Sequence, residues 1–361
     1  MKIIDIKTKI FKAPLKTPFI TSLRRVDFLE DLIVIIVCDD GSFGYGEGAS
    51  TPVITGETLG SIESTIKYLS PFIIGRDIEE FEEIIADIHS KILHNTTAKS
   101  ALEIALYDLK AQAHKQPLYQ MLGGKQKVFK TDITISMNDT QTMISHALKA
   151  VALGYEHLKI KIGDNPQKDA EKIKNIYQAL PSHIKLRLDA NQGWTAKESV
   201  TLLHSLEQQN IHAEFIEQPV KANDFEGLKY IKERVQTPLL ADESIFGIDD
   251  ARVLLEAKAI DYVNIKLAKT AGISHALKLA DLCHEFDTKC MIGCMLEGPI
   301  SVVAGVHLAS AKANIISMID LDAVSLLQSH SLKSSVIFNE SEIILSDDFG
   351  LGISEFLRYK N

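Results

Sequence analysis

Apolar residues gather along the first fifty positions into three short strand-like runs, 3–11, 32–38 and 43–47. Asp39-Asp40-Gly41-Ser42 joins the last two with a Gly-bearing hairpin signal. Over 58–113 the spacing turns helical, and Asn95-Thr96-Thr97 punctuates it as a candidate cap for the final helix. Together these predict a small α+β unit. From Thr131 the pattern changes again, to eight short β-rich runs at 131–137, 157–163, 184–191, 213–219, 238–244, 262–269, 289–295 and 316–322. Their starts recur every 24–29 residues, with amphipathic stretches between them. Such a series predicts successive βα units on a parallel sheet, closed as a (β/α)8 barrel or a version lacking one outer helix. The alternative, a doubly wound open sheet, uses fewer strands and a Gly-rich first turn, but neither GxGxxG nor GxxxxGK[ST] occurs. Residues 323–361 return to irregular structure, with Gly-Leu-Gly near the end, and are expected to pack back on the N-terminal unit.

Composition narrows the class. A chain of 361 residues with 45% apolar and 24% charged content builds a sizeable core, which excludes disorder and low-complexity arrays. The formal charge of −9, without any block of like charges, gives no basic stripe for nucleic acid. Apolar runs such as 32–38 fall far short of the roughly 20 residues a bilayer span needs, and Lys alternating with Ile at the start gives no secretory h-region. Neither a nucleic-acid nor a membrane partner is therefore expected, and the location is expected to be cytoplasmic. Four cysteines make no disulfide framework. Cys290 and Cys294 form a CxxxC without His or further Cys nearby, read as reduced core thiols, with a zinc site as the minor alternative.

Buried parallel strands normally read as unbroken Val/Ile/Leu, yet here nearly every run carries ionisable residues near its C-terminal end, where barrels place their chemistry. Lys159 and Lys161 project to one face of the second run. The third ends Asp189-Ala190-Asn191, the fourth Glu217-Gln218-Pro219, the fifth Asp242-Glu243-Ser244; the sixth holds Lys266, Glu297 follows the seventh, and the eighth closes Asp320-Leu321-Asp322. One acid after a strand is more often a loop or helix cap. Three on consecutive strands imply a shared cation, and hard oxygens without His or Cys favour Mg2+, one ion on Asp189, Glu217 and Asp242. Lys161 and Lys266 stand four strands apart in a ring of eight and so face each other across the mouth. A carbon acid between them could lose a proton to one amine and regain it from the other on the opposite face, inverting the carbon. Burial, Mg2+ and Lys159 are expected to lower the amine pKa toward about 7–8, useful for a general base.

These motifs, Lys159-x-Lys161, Asp189-Ala190-Asn191, Glu217-Gln218-Pro219, Asp242-Glu243-Ser244 and Lys266, resemble the muconate lactonizing enzyme subgroup of the enolase superfamily over nearly the whole chain. The resemblance implies an α/β fold: a modified TIM barrel of (β/α)7β type over 119–322, an N-terminal α+β capping domain over 1–118, and a C-terminal segment, 323–361, returning to the cap. It also implies the superfamily's known chemistry, a lysine base and a Mg2+-stabilised enediolate. Asp320-x-Asp322 resembles the pair by which dipeptide epimerases hold a free α-ammonium. Residues 17–24 and 53–56 resemble specificity loops in which an arginine matching Arg24 grips a glutamyl carboxylate. The implied reaction interconverts L-Ala-L-Glu and L-Ala-D-Glu, or a related L-Ala-L-X dipeptide, in murein peptide recycling. The implied roles are Lys161 and Lys266 as acid and base, with Lys159 adding positive charge. Thr134, Arg24, Asp320 and Asp322 are placed at the substrate, Asn191 and Glu243 behind the ligands, and Glu297 near the dipeptide backbone. Arg25 competes with Arg24 for the site. N-acylamino acid racemisation and o-succinylbenzoate synthesis are the alternative reactions, a non-catalytic barrel the alternative class. A homo-oligomer is expected.

Overall fold

The computed structural model describes residues 1–329 and 332–356. Its N-terminal unit is an antiparallel sheet of β1 (Ile3–Ile20), β2 (Arg25–Cys38) and β3 (Phe43–Ala49), in that spatial order. β1 and β2 run beyond the expected 3–11 and 32–38 because their ladder continues through Ala13↔Leu29 and Pro14↔Phe28, then resumes after a register shift at Phe19↔Val26. Helices α1 (Leu59–Leu69), α2 (Phe81–Ser90) and α3 (Thr96–Ala113) and the short α4 (Leu118–Met121) complete it. Asn95 does precede α3, but it makes no side-chain cap. The free N–H groups of Thr97 and Ala98 instead donate to the Glu57 carboxylate at 2.8 and 3.2 Å, a partner forty residues away that local sequence cannot reveal.

β3 explains how tightly this unit is built. Its glycines alternate as Gly44, Gly46 and Gly48 along the face that meets α3. A Cβ at Gly46 would stand 1.9 Å from the Ala101 carbonyl oxygen, so backbone meets backbone and nothing larger fits.

After β4 (Val128–Lys130) come eight parallel strands, β5 (Ile133–Ile135), β6 (His157–Lys161), β7 (Lys185–Asp189), β8 (Phe215–Glu217), β9 (Leu239–Ala241), β10 (Tyr262–Ile265), β11 (Cys290–Gly293) and β12 (Ile316–Asp320), each inside its expected run. Seven helices alternate with them: α5 (Thr140–Ala152), α6 (Pro166–Ala179), α7 (Ala196–Gln208), α8 (Phe225–Lys232), α9 (Ile248–Glu256), α10 (Ile273–Glu285) and α11 (Pro299–Ala311). Only the four-residue α12 (Ala323–Leu326) follows β12, giving (β/α)7β. Hydrogen bonding passes from neighbour to neighbour between β5 and β12, and the seam is crossed by Asp132 N–H to Ile319 O at 3.2 Å and Leu321 N–H to Thr131 Oγ1 at 2.9 Å. The barrel is thus nearly closed. Phe215, Leu240 and Met291, from β8, β9 and β11, form a separate buried cluster, an apolar layer beneath the polar one.

β13 (Leu332–Ser334) pairs with β16 (Ile353–Phe356), while β14 (Ile337–Asn339) and β15 (Glu342–Ile344) extend onto β4. The C-terminal part touches the N-terminal unit through Gln328 N–H to Pro14 O at 2.9 Å and Leu351 N–H to Asp108 Oδ1 at 2.8 Å. Residues 330–331 and 357–361 of the expected C-terminal segment lie outside the described residues. All four cysteines are buried and unbridged. Among the described residues no helix is long and apolar enough to cross a membrane.

Gly46→Ala is expected to lower the free energy of unfolding by about 3 kcal/mol, since the overlap is with backbone and cannot relax by a rotamer change. Urea denaturation measures it; a loss under about 0.5 kcal/mol would show that α3 can move away from β3.

Candidate active site

The C-terminal ends of the barrel strands open into a narrow cavity whose wall includes Thr134, Lys159, Lys161, Asn191, Asp242, Lys266, Asp320 and Asp322. Side-chain alternation puts them there: residues two apart on one strand share a face. Lys161 and Lys266 come from β6 and the end of β10, four strands apart in the sheet order.

Asp189, Glu217 and Asp242 lie at the ends of adjacent strands β7, β8 and β9, with Asp189 directly opposite Glu217 in register. All three are buried, but only Asp242 reaches the cavity wall, because ammonium groups cover the other two. Lys159 Nζ lies 3.1 Å from Asp189, 2.8 Å from Glu217 and 2.7 Å from Asp320; Lys161 Nζ donates to Asp189 at 2.5 Å and Lys266 Nζ to Asp242 at 2.7 Å. Glu217 Oε2 and Asp242 Oδ1 make ion-pair contacts only, to Lys159 and to Lys269 at 2.6 Å. Three carboxyl groups on adjacent strand ends, two of them with a buried oxygen that accepts no hydrogen bond, offer hard oxygen donors that fit a divalent cation such as Mg2+.

Electrostatics follow the packing. Burial opposes the charge on Asp242, yet Lys266, Lys269 and Lys159 outweigh it and hold the carboxyl well below its usual range. Burial and the Asp189 charge push Glu217 up to about 8. Lys266 departs from the expected lowering: burial, the largest single effect, works that way, but the charges of Asp242, Glu217 and Asp320 together outweigh it and raise the pKa. Behind this layer Asn191 accepts from Lys161 at 3.1 Å and donates to Glu243 at 3.1 Å. Asn191 and Gln218 hold left-handed backbone, φ 40° and 36°, where their strands turn outward.

Four residues at this layer escaped the sequence reading. Gln218 Oε1 accepts from Asp242 N–H at 3.0 Å and Ser244 N–H at 3.1 Å, tying the ends of β8 and β9 together. Asn264 donates to Glu217 at 2.9 Å, and Lys269 Nζ also donates to the Asn264 carbonyl at 3.1 Å. Arg187 pairs with Asp132 at 2.7 Å and Glu214 at 2.9 Å. Arg187 and Asn264 sit two positions before Asp189 and Lys266, so alternation was the available signal. Among the described residues the acids that converge most closely are Asp132, Asp320 and Asp322, with ligand oxygens within 4.8 Å of one another. Thr134 N–H donates to Asp322 at 2.6 Å.

The N-terminal unit closes the top. Ser22 Oγ donates to the carbonyls of Ala190 and Asn191, at 3.1 and 2.9 Å, which seats the 21–24 turn on the end of β7. Arg24 lines the cavity there, its guanidinium pushed down by burial against the pull of Asp31. Arg25 instead is exposed and paired with Asp27 at 3.1 Å, away from the cavity wall. Val53 and Ile54 add an apolar wall.

Glu297 is placed differently from the expectation. Cys294, Met295 and Leu296 line the cavity, whereas Glu297 is buried beside Asp31 and Glu47 of the capping sheet. Glu47 accepts from Ile300 and Ser301 N–H at 2.9 and 3.1 Å, and Asp31 from Gly298 N–H at 2.7 Å, so the cap is pinned to the positive end of α11.

Comparison with known proteins identifies the family. Residues 4–123 match the mandelate racemase / muconate lactonizing enzyme N-terminal domain, and residues 142–355 the enolase C-terminal domain-like family. The chain belongs to the mandelate racemase / muconate lactonizing enzyme family of the enolase superfamily. It is 45% identical to an L-Ala-D/L-Glu epimerase of Clostridium acetobutylicum, over 98% of this chain and 99% of that one. A substrate-liganded structure of the L-Ala-D/L-Glu epimerase from Bacillus subtilis superposes with TM-score 0.96 at 40% identity, covering 98% and 99% of the two chains. A dipeptide epimerase from Enterococcus faecalis, complexed with Mg and L-Leu-L-Tyr, gives 0.95 at 39%, covering 98% and 100%.

The cap junction has a pH signature. Burial pushes Asp31 to about 7 and Glu297 to about 8, and burial with the Asp31 charge raises Glu47. Carboxyls in the unfolded chain titrate near 4, so between those values the folded state binds more protons. The contribution of these three groups to stability is therefore complete below about pH 4 and is lost as pH rises through about 7 to 8. Glu297→Gln is expected to flatten the fall in Tm between about pH 5.5 and 8.5. Identical slopes for variant and parent would contradict the assignment.

Proposed function

We propose that this protein is a dipeptide epimerase that moves a proton on and off the Cα next to the C-terminal carboxylate, interconverting L-Ala-L-Glu and L-Ala-D-Glu or a related L-Ala-L-X pair. The observation that carries the reading is two lysines from opposite sides of the barrel on one cavity, with Asp320 and Asp322 on its wall. Relatives of 40–45% identity over nearly full length bear dipeptide epimerase names, and related structures hold Mg and a dipeptide.

In this reading Asp320 and Asp322 accept the substrate's free α-ammonium, a group that muconate, succinylbenzoate and N-acylated amino acids lack. Lys161 and Lys266 hold the proton at Nζ, one on each face of Cα, and return it from either side. Lys159 adds positive charge as the carboxylate gains electron density. Thr134 fixes Asp322 through its backbone N–H. Asn191 and Glu243 orient Lys161, and Arg24 meets the distal carboxylate. Glu297 acts through the cap junction. Asp189, Glu217 and Asp242 would hold Mg2+, which when bound supplies a divalent charge to the substrate carboxylate and competes with Lys266 for Asp242. A role in murein peptide recycling and assembly as a homo-oligomer belong to the same proposal.

Wild-type protein with Mg2+ in D2O is expected to incorporate deuterium at the C-terminal Cα of one member of an L-Ala-L-X panel, read by mass, and to stop on chelation. No label in any dipeptide would end the reading. Asp320→Asn with Asp322→Asn is expected to lower kcat/KM for the dipeptide by about 100-fold or more. Unchanged dipeptide turnover, or N-succinylamino acid racemisation by the parent as its fastest reaction, would favour an N-acylamino acid racemase.

A further inference from the structure

Asp132 lies two residues before Thr134 and faces the barrel interior, its carboxylate 2.7 Å from Arg187. It is fully buried, does not line the cavity, and its Oδ1 has no hydrogen-bond partner among the described residues. Its ligand oxygen lies within 4.8 Å of those of both Asp320 and Asp322. We propose that Asp132 is a positioning residue for these two acids: clamped by Arg187, it sets a third negative charge beneath them and so makes the pair prefer a cationic amine over an acylated one. This rests on reading Asp320 and Asp322 as the ammonium site.

Counting the positive groups supports it. Lys159 is the cation in contact with Asp320, and it is shared with Asp189 and Glu217. Arg187 is shared between Asp132 and Glu214, and Glu214 also binds His157 at 2.7 Å. Asp322 has a backbone N–H but no ion pair among the described residues. The acids of this corner therefore outnumber their cations, and buried uncompensated charge is costly. Burial and then the Asp320 charge push the Asp132 carboxyl well above its usual range, and the Arg187 guanidinium at 2.7 Å works against them to keep it charged, as an ammonium held by the neighbouring pair would too. Asp132 acts at a distance and never touches substrate.

The test uses the Mg2+-loaded full chain, the dipeptide turned over fastest in the panel, and its N-acetyl derivative as a competitive inhibitor. Asp132→Asn is expected to raise KM for the dipeptide about tenfold with kcat within about twofold, and to leave the inhibition constant of the N-acetyl compound within about twofold. An equal loss for both ligands, or a fall in kcat alone, would mean a structural role and overturn the proposal. Should the Asn variant not fold, Asp132→Glu and Asp132→Gln isolate charge at equal size: the Glu variant keeps a lower KM than the Gln variant, and equal KM values refute the idea. Asp320→Asn with Asp322→Asn runs alongside. If that pair leaves the dipeptide KM unchanged, the ammonium reading itself falls; if it raises KM while Asp132→Asn does not, only this inference falls.

Discussion

Charges removed from water must find partners of opposite sign, and the mouth of this barrel is organised around that requirement. Lys159 is the hub. Its ammonium, almost wholly buried, touches acids from β7, β8 and β12 at once, so three strand ends are drawn toward one point. Lys266 and Lys269 do the same for Asp242. Remove the positive groups and the carboxylates repel; remove the carboxylates and the lysines have no reason to stay buried. The same compensation that holds the strands in place keeps Lys161 and Lys266 buried at the cavity, where their charges are screened less than in water.

The capping domain reaches the site by a related device. Carboxylates of its strands and helices sit on the free N–H groups of barrel helices: Glu47 and Asp31 at α11, and Glu103 at α10, where it accepts from Ser274 N–H at 2.9 Å. Each uses the unsatisfied donors of a helix start. The cap is thereby fixed on the rim, and with it the 21–24 turn that carries Arg24. Arg24 thus rides on a domain held to the barrel by these carboxylate caps as well as by a shared apolar core, while the lysines and acids of the cavity belong to the strands.

The barrel was legible in the sequence because its period is long and its strands are short: all eight observed strands fall inside the expected runs. The charged strand ends were legible for the same reason, since Lys and Asp in such runs violate the apolar rule. What lay one layer deeper was not. Arg187, Asp132 and Asn264 share inward faces with Asp189, Thr134 and Lys266, but their partners come from strands far away in the chain, and pairing across a barrel leaves no local mark. Glu297 was placed by its position after β11; only the packing of β2 and β3 against α11 shows that it faces the cap. Similarly, Glu57 caps α3 in place of Asn95 because tertiary contact overrides the local signal.

The claim on which the account turns is that Lys161 and Lys266 serve opposite faces of one carbon. Lys161→Ala and Lys266→Ala, each incubated in D2O with Mg2+ and with the separate L,L and L,D epimers, test it by Cα labelling. The account predicts that neither variant epimerises and that each labels a single epimer, a different one for each lysine. Labelling of the same epimer by both variants, or epimerisation surviving in either, would contradict it.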